Sequence, residues 1–261
     1  MFCLLFSTSL YHLPCLYYFK KADRQMTQQN PVGKLFDKVA SRYDFLNHFL
    51  SLGIDVLWRK RLAKKVADLK PSSLLDLATG SGDLLLAILK NSPTILRYYG
   101  VDISQEMLAL AKEKGLDNLL IADASSLPFV ESSFDVVTIA FGLRNFQDRM
   151  LALREIFRVL RPGGTLYVLE FSKPTAILRP FYLFYLQKLI PQLASFVGAP
   201  KDAYIYLAQS ILDFPQPKEL VGIFQNAGFD CCGFVPMTFG IVTIHWGKKP
   251  ETVLNKSALK T

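Results

Sequence analysis

The stretch Leu74-Leu75-Asp76-Leu77-Ala78-Thr79-Gly80-Ser81-Gly82-Asp83 decides how this chain folds. Residues 74–78 are an apolar run of strand length, interrupted by a single carboxyl. Gly80 and Gly82 then allow the backbone to turn sharply into a helical pattern over 83–90. A strand that passes through a glycine turn into a helix opens a βαβ unit, and open α/β sheets take up ligands at the carboxyl ends of such strands.

The alternation continues downstream. Residues 98–103 read as a strand, 105–114 as a helix, 119–122 and 134–141 as strands, and 150–160 as a helix. Arg161-Pro162-Gly163-Gly164 closes that helix as a turn, and a strand follows over 165–171. Upstream, Phe36, Val39, Ala40, Tyr43 and residues 45–50 suggest helices, and residues 58–69 form a basic amphipathic helix ended by Pro71. An aromatic, helix-prone insertion at about 174–213 breaks the alternation before a helix over 218–227, capped by Gly228. Two last strands, 231–237 and 241–246, are separated only by Thr238-Phe239-Gly240 and should form an antiparallel hairpin. The prediction is an α/β protein with a doubly wound, seven-stranded, mostly parallel sheet.

With 261 residues, 51% of them hydrophobic, the chain can bury the core of one such domain, placed at residues 32–249. Residues 250–261 are expected to be a disordered tail. Residues 1–31 are an apolar extension with three readings left open: a membrane anchor or signal sequence, a true start of translation at Met26, or an ordinary packed extension. Pro14 and several polar residues weigh against a membrane span there. The net charge of +8 favours anionic neighbours, whether nucleic acid, phosphate or acidic lipid. Cys3, Cys15, Cys231 and Cys232 show neither metal-ligand spacing nor a disulfide framework, so no metal site and a reducing compartment are expected.

Candidate ligand contacts fall at successive strand ends. Gly80 and Gly82 permit close backbone approach, but Leu85 stands where a dinucleotide-binding loop needs its third glycine. Asp102, about twenty residues on, is placed to accept hydrogen bonds from both hydroxyls of a ribose. Asp123 and Ala124, after the third strand, suit the edge of an adenine. Each residue alone reads more readily as a turn or helix cap. Together they point to S-adenosylmethionine.

At this point the chain resembles the class I S-adenosylmethionine-dependent methyltransferases and, within them, the UbiE/MenG/Coq5 family of quinone C-methyltransferases. The resemblance rests on Phe36-Asp37-Lys38-Val39-Ala40-Ser41-Arg42-Tyr43-Asp44, the glycine loop, Leu127-Pro128-Phe129, Phe141-Gly142-Leu143-Arg144-Asn145, Arg161-Pro162-Gly163-Gly164 and Leu169-Glu170-Phe171-Ser172. It implies a cofactor set of Asp76, Gly80, Ser81, Gly82, Asp102, Asp123, Ala124 and Ala140; many relatives carry serine at this last position. It implies C-methylation of demethylmenaquinol to menaquinol, with the ubiquinone-pathway 2-polyprenyl-6-methoxy-1,4-benzoquinol reaction, or both, as the alternative.

On that implied chemistry Arg144 and Asn145 are candidates for binding the quinol oxygens and stabilising phenolate character, with Tyr43 closing over the ring. His245 and His48 read as structural. The lipid tail of such a substrate needs an apolar approach. Phe181, Tyr182, Phe184, Tyr185, Leu189 and Phe196, beside Arg179 and Lys188, supply a lid able to contact the membrane interface. The implied location is cytoplasmic, peripheral at the inner face of the membrane, and a homo-oligomer stays open. A nucleic-acid partner is not expected, because no Asn/Asp-Pro-Pro-aromatic motif or appended RNA-binding motif is present. A non-catalytic scaffold subunit is the remaining rival.

Overall fold

Ile54–Asp68 forms the helix α1 in a computed structural model that describes Ser51 and residues 53–174, 177–189, 192 and 201–251. The N-terminal extension, the helices expected over 36–50 with Tyr43 and His48, Pro191, Phe196 and the tail beyond 251 lie outside the described residues. α1 begins earlier than the periodicity from Trp58 suggests. Gly53 takes a left-handed φ of 74° at its start, and Asp55 in the first turn accepts from the Ser51 hydroxyl at 2.7 Å.

The alternation expected from the sequence then follows: β1 (Ser73–Leu77), α2 (Asp83–Asn91), β2 (Arg97–Asp102), α3 (Gln105–Glu113), β3 (Leu119–Ile121), β4 (Phe134–Ala140), α4 (Arg149–Val159) and β5 (Leu160–Phe171). The insertion contributes α5 (Arg179–Phe184), a π-helical turn (Tyr185–Leu189) and α6 (Lys201–Asp213), after which come α7 (Pro217–Asn226), β6 (Asp230–Met237) and β7 (Val242–Lys248). The seven strands make one sheet in the order β3-β2-β1-β4-β5-β7-β6. β7 runs antiparallel to both its neighbours, and every other pairing is parallel.

Alternation of side chains along the strands divides the core into two layers. Leu75, Leu77, Val137, Ile139, Leu166 and Val168 pack with Leu153 and Ile156 of α4 and Leu220 and Phe224 of α7. Leu74, Val136, Leu169 and Ile244 pack on the opposite face with Trp58, Leu62 and Val66 of α1 and Leu85 and Ile88 of α2. The sheet is therefore covered on both sides, and the winding reverses between β1 and β4. That reversal leaves a crevice at their carboxyl ends.

The turn expected at Arg161-Pro162-Gly163-Gly164 is instead an excursion within β5. Phe134 pairs with Leu160 and Val136 with Thr165, so the four residues bulge out of the ladder. Gly163, at φ 78°, donates to the Lys249 carbonyl at 2.9 Å, and the Lys249 amide returns a bond to the Gly164 carbonyl at 2.8 Å. The buried Lys249 ammonium also donates to the carbonyls of Phe157 at 2.8 Å and Leu160 at 2.7 Å. It thus satisfies the carbonyl end of α4 with a cation placed favourably for the helix dipole. Lys249→Met should strand those carbonyls and cost about 1.5–3 kcal/mol, read as a lower midpoint in urea denaturation with an unchanged slope.

Candidate functional site

The crevice is a cleft of about 260 Å³ lined by the ends of four parallel strands and the segments that follow them. Gly80, Asp102, Asp123, Ala124 and Ala140, all singled out from the sequence, line it together. Ile103, Met107 and Leu151 supply its apolar surface. Asn145 lines it as well, from a 3-10 turn (Leu143–Asn145) just beyond β4.

The glycine loop is held to β2 by its own backbone. The Gly80 amide donates to Asp102 Oδ2 at 2.8 Å, while the Ser104 amide donates to Oδ1 at 3.0 Å. Ser104 in turn caps α3, its hydroxyl accepting from the Met107 amide at 3.1 Å. Asp102 is thereby fixed at the rim with its orientation set from both sides. Asp123 is similarly oriented, since Oδ1 accepts from the amide and hydroxyl of Ser125 at 2.8 and 2.6 Å.

Three of the predicted cofactor residues stand behind the cleft rather than in it. Asp76 is only 1% exposed, and its carboxyl accepts from Thr138 Oγ1 at 2.5 Å and Thr79 Oγ1 at 2.7 Å. Ser81 is also buried. Gly82, at φ 82°, is a packing glycine, because a Cβ there would come within 2.3 Å of Leu116. These residues shape the loop from beneath.

The cleft wall contains strained backbone that the sequence did not disclose. Ala78 and Phe141, the residues that follow β1 and β4, adopt φ of 50° and 58°, which non-glycine residues rarely do. Gly142 makes this crossing possible, since a Cβ on it would lie 2.4 Å from that of Ala78.

Arg144 does not line the cleft with Asn145. It is buried behind Phe141, and its Nη1 donates to the Phe141 carbonyl and to Glu170 Oε1, the latter at 2.7 Å. Its guanidinium lies 5.4 Å from the centre of the Phe171 ring, while Arg59 lies 5.6 Å from that of Phe141. The two rings are tilted to one another by 36° with centres 4.7 Å apart, and each carries a cation near it. Asn145 Oδ1 accepts from the Tyr206 hydroxyl of α6 at 3.1 Å, which ties the insertion to the site.

Glu170 and Tyr206 stand beside the site through Arg144 and Asn145, although the sequence gives neither a role. Glu170 carries a signal, namely a charge at the end of an apolar strand that must find a partner once buried. Tyr206 falls in Tyr204-Ile205-Tyr206-Leu207, which belongs to the resemblance, but no local chemistry marks it as a site residue. His245 is not among the residues that line the cleft. It lies on β7 between Phe224 and Phe234 at ring distances of 6.3 and 5.8 Å, away from the cleft, and burial lowers its pKa to about 4.

Does the cleft suit the cofactor that the loop suggests? A rim carboxylate on β2, a glycine without a neighbour at its Cβ position, a carboxylate beside a small residue on β3's following loop and apolar walls match a ribose, an extended chain and an adenine respectively. The sheet order with β7 reversed is that of the class I S-adenosylmethionine-dependent methyltransferase fold. A solved SAM-dependent methyltransferase from Thermotoga maritima shares it with a TM-score of 0.62 at 20% identity, covering 83% of this chain and 99% of that one. The [4+2]-cyclase SpnF shares it too, with a TM-score of 0.56 at 19% identity over 87% of this chain and 97% of its own, so fold alone does not specify the reaction.

Sequence does. The chain belongs to the ubiE/COQ5 methyltransferase family, whose profile matches residues 23–249. A relative from Thermus thermophilus named demethylmenaquinone methyltransferase is 42% identical over 83% of this chain and 100% of its own length. One of the same name from Porphyromonas gingivalis is 36% identical over 87% and 96%. A relative from Geotalea daltonii named ubiquinone/menaquinone biosynthesis C-methyltransferase UbiE is 38% identical over 84% and 96%. The protein is thus an enzyme, a methyltransferase that uses S-adenosylmethionine.

Burial raises the Asp76 pKa from 3.8 to about 6, against the opposing hydrogen bonds from Thr138 and Thr79. Between these values the folded protein keeps a proton that the unfolded chain has released. The resulting stabilisation is full below pH 3.8 and is lost as the pH rises through about 6. Asp76→Asn, which cannot ionise, should show a flatter melting temperature across that window, so its Tm relative to wild type should rise from acid to neutral pH.

Proposed function

We propose that this protein methylates a ring carbon of a reduced, lipid-tailed demethylmenaquinone to give the menaquinol. The observation that carries the reading is the coincidence of two features in one cleft. Asp102 and Asn145 both line it, and the full-length relatives just described bear the name of this reaction. S-adenosylmethionine, when bound, supplies an electrophilic methyl group on sulfur.

The chain's own residues then have separable roles. Gly80, Asp102, Asp123, Ala124 and Ala140 hold the cofactor, with Asp102 taking the ribose hydroxyls and Asp123 the adenine edge. Asp76, Ser81 and Gly82 support the loop without touching it. Asn145 meets the ring oxygens of the quinol, its amide oriented by Tyr206. Arg144, paired to Glu170, places a positive charge behind Phe141, where it favours phenolate character in the ring as the neighbouring carbon gains the methyl and later loses its proton. Ile103, Met107, Leu151 and the Phe141–Phe171 pair keep water away from the reacting centre.

The insertion supplies the route for the tail. α5 presents Phe181 and Phe184, 74% and 60% exposed, on the face opposite its buried Tyr182. Ile177 and Ile205 are exposed nearby in the fold's helical insertion, and Arg179 and Lys188 are exposed beside them. No helix among the described residues is long and apolar enough to cross a membrane. An exposed aromatic patch with basic neighbours fits the interface of an anionic bilayer instead. The protein works as a peripheral enzyme at the cytoplasmic face, without nucleic acid.

Purified protein with labelled S-adenosylmethionine should transfer label to reduced demethylmenaquinone in detergent, with 2-polyprenyl-6-methoxy-1,4-benzoquinol as the competing acceptor. The second acceptor belongs in the assay because the Geotalea daltonii relative is named for both quinone pathways. Asp102→Ala should abolish measurable cofactor binding. Arg144→Lys, which keeps a charge against Glu170, should bind cofactor normally and lose turnover by about tenfold or more. Arg144→Ala is less informative, since an unpaired buried Glu170 costs about 3–5 kcal/mol. Full activity in both Asp102→Ala and Arg144→Lys would overturn the assignment.

Phe181→Ser with Phe184→Ser should reduce sedimentation with anionic vesicles several-fold and leave cofactor affinity unchanged. Unaltered vesicle binding would remove the membrane role from α5.

A further inference from the structure

Two buried donors near the site have no acceptor. The Tyr182 hydroxyl makes no hydrogen bond although its residue is only 9% exposed, and Arg144 Nε is likewise buried and unpaired. Buried polar groups are normally satisfied, so each orphan needs a reason. They come from different elements, Tyr182 from α5 and Arg144 from the turn after β4, and Tyr182 feels the charges of both Arg144 and Glu170.

Glu170 does not serve as the missing acceptor. Its Oε1 already takes bonds from Arg144 Nη1 and from the Phe171 amide at 2.9 Å, and its Oε2 takes the Arg144 amide at 3.3 Å. Glu170 keeps lone pairs to spare, yet neither orphaned donor bonds to them. What completes this corner is an external oxygen that accepts hydrogen bonds. An aromatic ring oxygen, gaining negative charge as its ring is methylated, has that chemistry.

We propose that Tyr182 is a substrate-binding residue, whose hydroxyl donates to one ring oxygen of the bound quinol while Arg144 supplies positive charge from behind Phe141. The inference rests on the quinol reading given above. Burial, the largest influence, pushes the Tyr182 pKa well up despite the opposing effect of Arg144, so the phenol stays protonated and acts as donor rather than base. Because Tyr182 shares α5 with the exposed Phe181 and Phe184, the helix that greets the tail also holds the ring. Seating of the lid and orientation of the acceptor then become one event.

The test is Tyr182→Phe, which removes only the hydroxyl. An unpartnered group contributes nothing to the free fold, so the variant should melt at or above the wild-type temperature and bind S-adenosylmethionine with unchanged affinity. Turnover of reduced demethylmenaquinone at subsaturating quinol should fall by roughly ten- to a hundredfold, the range expected for a hydrogen bond to a charged oxygen. Two monohydroxy analogues, each lacking one ring oxygen, complete the comparison. The penalty of Tyr182→Phe should vanish with the isomer missing the oxygen that Tyr182 holds, and persist with the other.

A clearly lower melting temperature would show that the hydroxyl has a partner inside the protein, and would overturn the proposal. So would equal turnover of wild type and variant, or a penalty that survives with both analogues. Failure of the wild type to methylate any quinol overturns the functional reading itself and takes this inference with it. The wild-type arm therefore separates the two failures.

Discussion

The carboxyl of Asp76, buried between the hydroxyls of Thr79 and Thr138, is the interaction on which the site depends. Asp76 and Thr138 are register partners across β1 and β4, the two strands between which the winding of the sheet reverses. Thr79 begins the glycine loop. One carboxyl thus ties both walls of the crevice to the loop between them, and the loop then offers the Gly80 amide to Asp102. Burial raises its pKa to about 6, and the two hydroxyl donors offset part of the cost of burying the charge it carries at neutral pH.

From that tie the surroundings follow in layers. Ala78 and Phe141 leave their strands with positive φ because the sheet's central ladder must end abruptly to open the crevice, and only glycine at position 142 clears Ala78. Phe141, turned inward, packs on Phe171, and the cations of Arg59 and Arg144 lie near the pair. Each cation is neutralised nearby, Arg59 by Asp55 and Arg144 by Glu170. The cleft wall at Phe141 is consequently apolar at its surface and backed by paired charges.

Much of this could be read along the chain. Strand and helix periods, the glycine loop, Asp102 and the closing hairpin are local features, each encoded within a few neighbouring residues. The helix over Ile54–Asp68 was placed late because its first turn relies on Gly53 and on contacts of Asp55, not on apolar spacing. Arg161 to Gly164 looked like a turn because proline and glycine usually mark one. Their excursion inside β5 depends on the pairing of Leu160 and Thr165 with β4, a register that no local pattern contains.

The order of elements, the two-sided burial of the sheet and the family are all written in periodicity and in short motifs along the chain. Only the tertiary structure decided which of the motif residues reach the cleft. Asp76, Ser81 and Gly82 are close to Gly80 in the chain, yet they lie outside the cleft lining, Asp76 and Ser81 being buried and Gly82 packed against Leu116. Arg144 and Asn145 are adjacent, yet one is sequestered by Glu170 and the other lines the cleft. Direction in space is set by packing between distant segments, and that information is absent from any single stretch of chain.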